Sequence, residues 1–315
     1  MSAACRGRGP SLACSLVLSS VMLLTAACGS SPSKGDHTRQ PAWAIAFGYL
    51  GDIYVSDASG ARRRDLTPGT PQSLDGCPSW SPDGRQVVFF SKGLDGGGLY
   101  VVNIDGTGRH ELTSDIRAGC PEWSPGGASI AVGDGQVTTR GARFNAGFGQ
   151  VYVIGSDGTE MSQLTHAMGY ITAAGAPAWS PDGTKIAYRV LAQDVSRSTG
   201  YVMNTDGTDR VRIAGNFDDP AWSPDGSTIA FCRRLEDRFA LFVIRADGTG
   251  LHRLTSRTFP SPISPTWSTD GSKIVFGSTA WHSGDLYVVN ADGTELAPLI
   301  SGGVASDPDW NPAVA

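Results

Sequence analysis

The sequence predicts an all-β protein, a six-bladed β-propeller built from four-stranded antiparallel blades. Three observations lead there. The phrase Pro-x-Trp occurs six times, at Pro78/Trp80, Pro121/Trp123, Pro177/Trp179, Pro220/Trp222, Pro265/Trp267 and Pro308/Trp310, with Trp-to-Trp steps of 43, 56, 43, 45 and 43 residues. Periods of about 40 to 45 residues are those of propeller blades. Short β-branched and aromatic runs separated by Asp-Gly turns fill each interval, and the sixth copy stops five residues from the C-terminus.

From the N-terminus, residues 1–27 read as a sorting signal. Arg6 and Arg8 precede a mainly apolar stretch, 11–27, that is too short and interrupted for a membrane span, and Thr25-Ala26-Ala27-Cys28 has the small residues of a cleavage site. The site resembles a bacterial lipobox with Thr25 in place of the more usual Leu, making Cys28 the lipidated first residue of the mature chain. An ordinary secretory signal cleaved nearby is the other reading. Residues 28–40 form a polar tether whose composition cannot bury a core, and 41–315 form the propeller.

The first repeat lacks its opening strand. Residues 43–47, 53–55 and 64–67 match the second, third and fourth strands of the later repeats, while 308–311 is an orphan first strand. Pairing the two ends completes one blade and removes the exposed edge of an open stack. The interval 220–255 shows the full repeat: PAWSPDG, an apolar strand at 229–231, a second at 241–244, Asp-Gly-Thr, then a final strand. Asp-Gly marks tight turns because Gly tolerates positive φ. Asp83, Asp182, Asp225 and Asp270 follow the first strand, and Asp105, Asp157, Asp206, Asp247 and Asp292 follow the third. An Asp capping its own turn accounts for these without a metal ion, and an aromatic at one fixed strand position accounts for the repeat Trp residues as inter-blade core.

The recurring pattern PxWSPDG, IAF, IYV, DGT, LT over residues 41–315 closely resembles the propeller repeats of the TolB type, the WD40-like Pro-Asp repeat family. That resemblance implies the six-bladed ring. True WD40 repeats carry Gly-His and Trp-Asp pairs that are absent here. TolB-type proteins place an α/β domain before the propeller, whereas only a short polar stretch precedes the first blade here. Prolyl oligopeptidases join a similar propeller to a hydrolase domain, but this sequence contains no Gly-x-Ser-x-Gly.

The formal charge of −5, without a basic block, argues against nucleic acid as a partner. Cys5 and Cys14 fall in the signal. Cys77 and Cys120 occupy the same repeat position in adjacent blades, immediately before Pro-x-Trp, so they are either a bridge between neighbouring inner strands or two compact buried thiols. Cys232 is expected to be a packed thiol.

Loops entering the innermost strands and loops joining second to third strands should gather at one mouth of the channel. The six residues before Pro-x-Trp are Cys77, Cys120, Ala176, Asp219, Ser264 and Asp307, with Asp75 and Asp218 close by. They make an acidic, small-residue rim suited to a cation, an amine or a basic peptide. The long step places an insertion at 133–150 that carries Arg140, Arg143, Phe144 and Phe148, and Tyr170, Trp281 and His282 fall on other loops of that face. Aromatic and Arg side chains are enriched in protein interfaces. The expectation is a monomeric, membrane-anchored envelope lipoprotein that binds a protein or peptide on its loop face, without a cofactor or metal. The alternative is a sugar lyase or hydrolase, or a small-ligand receptor, working at the channel mouth. Of five His residues only His166 and His282 fall on candidate mouth loops, which is thin support for a catalytic set.

Overall fold

A computed structural model describes residues 43–314 except 70–72, 94–95, 115–118, 134–148, 167–170, 193–196, 237, 257, 281–282 and 303. Among the described residues every regular element is a strand. The first blade contains β1 (Ile45–Tyr49), β2 (Asp52–Ser56) and β3 (Arg63–Asp65). The second contains β4 (Leu74–Trp80), β5 (Gln86–Gly93), β6 (Gly96–Asn103) and β7 (His110–Thr113), and the third β8 (Pro121–Trp123), β9 (Ser129–Gly133), β10 (Val151–Gly155) and β11 (Ser162–Gln163). The fourth contains β12 (Ile171–Trp179), β13 (Lys185–Ala192), β14 (Ser198–Asn204) and β15 (Val211–Gly215). The fifth contains β16 (Asp218–Trp222), β17 (Thr228–Leu235), β18 (Arg238–Arg245) and β19 (His252–Arg253), and the sixth β20 (Pro262–Trp267), β21 (Lys273–Ala280), β22 (Ser283–Asn290) and β23 (Ala297–Ile300). The last strand, β24 (Ala305–Trp310), returns to pair with β1, giving six four-stranded antiparallel sheets.

Local chemistry makes each blade a meander. After β4, Ser81 Oγ donates to Asp83 Oδ1 at 2.7 Å and accepts from the Gln86 amide at 2.9 Å, so the Ser-x-Asp-Gly phrase ties its own turn. The Asp-Gly-Thr turn does likewise: Thr107 donates its amide and hydroxyl to Asp105 Oδ1 at 2.9 and 2.6 Å, and Gly106 takes a φ of 80° that an L side chain resists. Such donors hold the turn carboxyls below their ordinary range, Asp270 at about 2 through Ser268 and Ser272. These acids therefore serve their own turns. The Leu-Thr pair of the fourth strand has two jobs. Leu66, Leu164 and Leu254 enter the core, while Thr67, Thr165 and Thr255 accept the Ile53, Val151 and Leu241 amides at 2.8 to 3.0 Å.

The core lies between blades. Ile53, Val55 and Leu66 of the first blade pack with Trp80, Val87, Phe89 and Val102 of the second, and Ala230, Leu241 and Leu254 of the fifth with Trp267, Ile274 and Phe276 of the sixth. Each fully buried apolar side chain contributes about 1.5 to 3 kcal/mol, so a blade is stable only with both neighbours in place. Closure meets that need at the ends of the chain. Ile45 and Ala46 pair with Trp310 and Asp309, the Asn311 amide donates to the Ala44 carbonyl at 2.7 Å, and Ile45 and Phe47 pack against Val275, Leu286 and Ile300 of the sixth blade.

Candidate functional site at the channel mouth and lumen

The six innermost strands enclose a central channel of about 530 Å³, lined at successive levels by the residue before Pro, by Pro, by the x residue and by Trp. A repeated backbone irregularity shapes its mouth. In five of the six blades the residue before Pro has left-handed φ: 52° at Cys77, 48° at Ala176, 49° at Asp219, 47° at Ser264 and 50° at Asp307. At each of these positions the pairing between first and second strand slips, as between Gly76 and Ser79 or Asp218 and Ala221. Such bulges re-aim side chains, and each conformation costs about 1 to 2 kcal/mol outside Gly. Short Asp, Ser, Ala and Cys side chains suit the crowded rim that results.

Asp219, Ser264 and Asp307 come together. Ser264 Oγ donates to Asp307 Oδ1 at 2.7 Å, and the Ser264 amide donates to Asp219 Oδ2 at 3.3 Å. Burial, aided by Asp218 and opposed by Arg189, pushes the Asp219 carboxyl up to about 6. Asp75 and Asp218, near the rim in sequence, are neutralised by cations: Arg109 lies 3.2 Å from Asp75 and Arg189 2.8 Å from Asp218. Ser91 and Ser198 donate to the same two carboxylates at 2.6 and 2.9 Å. The negative character of the rim is thus confined to Asp219 and Asp307. On the same rim, Cys77 and Cys120 of the second and third blades are joined by a disulfide with Cα atoms 4.9 Å apart, and Cys232 is a free buried thiol.

Below the mouth lies an acidic pair that the sequence reading passed over. Glu122 and Asp309 occupy the x position of Pro-x-Trp, where the other blades carry Ser79, Ala178, Ala221 and Thr266. Each holds the next blade in two places. Asp309 Oδ2 accepts the Trp80 amide at 2.8 Å and its carbonyl the Trp80 indole at 3.2 Å; Glu122 does the same for Trp179, both at 3.2 Å. Trp222 and Trp267 donate their indole N–H groups to the Ala178 and Ala221 carbonyls at 3.1 Å, whereas Trp123 bonds within its own blade to Gly127. Both acidic residues are half-buried and line the channel. Burial pushes Asp309 up to about 6, and burial with the Asp309 charge raises Glu122 well above the usual range. Two acidic letters among small ones at one repeat position were the available signal.

The predicted loop-face residues Arg140, Arg143, Phe144, Phe148, Tyr170, Trp281 and His282, and the predicted lipidation site Cys28, lie outside the described residues. Two described residues beside these segments lie against the first strands of neighbouring blades. A Cβ on Gly133, the last residue of β9, would meet Gly175 and Ala176, and one on Gly284 of β22 would meet the Ala305 backbone.

The raised acid in the lumen makes stability depend on pH. An Asp309 carboxyl at about 6 when folded and 3.8 when unfolded favours protonation of the folded chain; the resulting stability is complete below about pH 4 and lost as pH rises through 6. Asp309→Asn, which keeps an acceptor for Trp80 without the charge, should therefore stabilise the protein at pH 7.5 by about 1 to 2 kcal/mol, allowing for water in the channel. Urea unfolding at both pH values should show that gain vanishing at pH 4. A gain equal at both, or a loss at pH 7.5, contradicts the assignment.

The TolB beta propeller domain family matches residues 137–314, more than half of the chain. No curated protein matches the sequence. Among solved structures, TolB from Acinetobacter baumannii superposes with a TM-score of 0.69 at 18% identity, covering 86% of this chain and 67% of that one. A putative TolB from Agrobacterium tumefaciens gives 0.64 at 22%, covering 84% and 91%, and an oligogalacturonate lyase from Vibrio parahaemolyticus gives 0.54 at 14%, covering 77% and 73%. At these identities the solved structures speak to the fold, which lyases and TolB proteins share. With the family match running from within the third blade through the sixth and the closing strand, this chain belongs to the TolB beta propeller domain family.

Proposed function

We propose that this protein is a lipid-anchored, extracytoplasmic envelope protein whose propeller is an interaction platform for another envelope protein or peptide. The observation that carries the reading is the mouth itself. A ring fixed between blades presents Asp219, Ser264 and Asp307 on one side of an open channel, and Gly133 and Gly284, beside two of the segments that bear the sequence's Arg and aromatic residues, lie against the first strands of neighbouring blades. Such a face supplies a cationic group of a partner with acceptors at the centre and apolar or Arg anchors around it. Family membership and the lipobox-like Thr25–Cys28 sequence support the envelope setting. The alternative, a lyase- or hydrolase-type enzyme or small-ligand receptor, uses the same mouth. Weighing against it, the channel lining offers carboxylates, hydroxyls and a disulfide but no imidazole among the described residues.

Cross-linked capture from detergent-solubilised envelopes tests the platform. Arg143→Ala, Phe144→Ala and Trp281→Ala should each weaken capture by about 1 to 3 kcal/mol with the melting temperature nearly unchanged. Capture insensitive to all three but lost on Asp219→Ala and Asp307→Ala would move the function to the pore and favour the alternative. Cell fractionation tests the anchor: Cys28→Ala should appear in the soluble fraction with its fold intact, and continued membrane retention refutes lipidation at that residue.

A further inference from the structure

The rim disulfide sits beside a carboxylate. Cys77 Sγ, Cys120 Sγ and a carboxylate oxygen of Asp307 all lie within 4.8 Å of one another. Ligand atoms on a tetrahedral zinc ion are about 3.3 to 3.8 Å apart, given metal–sulfur and metal–oxygen bonds of about 2.3 and 2.0 Å. The three groups therefore need only small side-chain rotations to share one ion. Their backbones come from three consecutive blades, those of β24, β4 and the approach to β8, which are held to one another by the Trp80–Asp309 and Trp123–Ser79 bonds. Ser264 steadies the carboxylate from the other side.

We propose that reduction turns this rim into a soft-metal site in which the Cys77 and Cys120 thiolates and the Asp307 carboxylate bind one zinc ion, with water in the fourth position. In the oxidised chain the sulfurs are bonded to each other and unavailable. Cys77 is buried and Cys120 exposed, so a dithiol reductant approaches the Cys120 sulfur. One reductant thiolate attacks Cys120 Sγ, the S–S bond breaks, and Cys77 leaves as a thiolate. The second reductant thiol then attacks the mixed disulfide, releasing Cys120 and a cyclic disulfide. Two electrons pass to the chain, and binding of the metal displaces to solvent any proton remaining on the two sulfurs. Two thiolates select zinc over magnesium or calcium, which prefer all-oxygen sets. The inference is independent of any partner at the mouth.

The test uses the full chain in detergent, reduced with a dithiol, desalted without oxygen and titrated with Co2+, whose thiolate charge-transfer absorption reports sulfur ligation. The reduced chain should take up one Co2+ that one equivalent of Zn2+ displaces, and the oxidised chain should show no such absorption. Cys120→Ser should abolish tight binding, Asp307→Asn should weaken it by about tenfold or more, and Cys232→Ala should leave it unchanged. A reduced chain without the charge-transfer signal, binding that survives the Cys77→Ser/Cys120→Ser double variant, or Asp307→Asn binding like wild type overturns the site. Circular dichroism of each variant shows whether a loss reflects unfolding, and Asp307→Asn keeps both cysteines should the double variant fail to fold.

Discussion

The structure depends on the bond that each blade makes with its neighbour at the Pro-x-Trp phrase. For Trp80, Trp179, Trp222 and Trp267 the indole N–H reaches the carbonyl of the x residue in the preceding blade. A buried indole must spend its donor somewhere, and for these four the partner is another blade's innermost strand, while Trp123 and Trp310 are tied across blades by their backbone amides, to Ser79 and Thr266. The apolar body of the same ring fills the inter-blade core. One residue type thus ties each blade to the one before it, through its indole or its amide, and the ring of six ties leaves a channel bounded by the Pro-x-Trp phrases themselves. Because β24 supplies the innermost strand of the first blade, the tie between first and second blades runs through Asp309, far away in sequence.

That requirement explains the chemistry of the lumen. Where the x residue has an acceptor in its side chain, as in Ser79, Glu122, Thr266 and Asp309, it also takes the amide of the next Trp. Acidic members perform this duty at the cost of holding carboxylates in a narrow passage, which raises their affinity for protons. At the mouth, left-handed residues turn their side chains inward and leave the strand beyond them regular. Positioning residues of the ring and the side chains of the rim are thus separated by two positions in one short phrase.

Much of the fold was legible because every blade repeats the same solution: Pro-x-Trp for the inner strand, Ser-Pro-Asp-Gly and Asp-Gly-Thr for the turns, Leu-Thr for the outer strand. Closure by the two ends followed from an opening repeat that lacked its first strand. The grouping of Asp219, Ser264 and Asp307 was legible from their shared repeat position. Pairing of Asp75 with Arg109 and of Asp218 with Arg189 was not, since the two Arg residues sit at unrelated repeat positions. Glu122 and Asp309 escaped notice for a related reason. Their meaning arises across blades, from which amide each faces and how little water surrounds it, and a repeat pattern read blade by blade averages over such departures.

The most direct test of the ring is removal of its last strand. A chain ending at residue 304 loses β24, the Asn311 contacts with the first blade and both Asp309 bonds to Trp80, leaving β1 an open edge and the first and second blades without their tie. Several kcal/mol are lost, and differential scanning calorimetry should show the midpoint lowered by about 10 °C or more, with a broadened transition. A midpoint and transition width equal to those of the full chain would show that the ring does not depend on this closure.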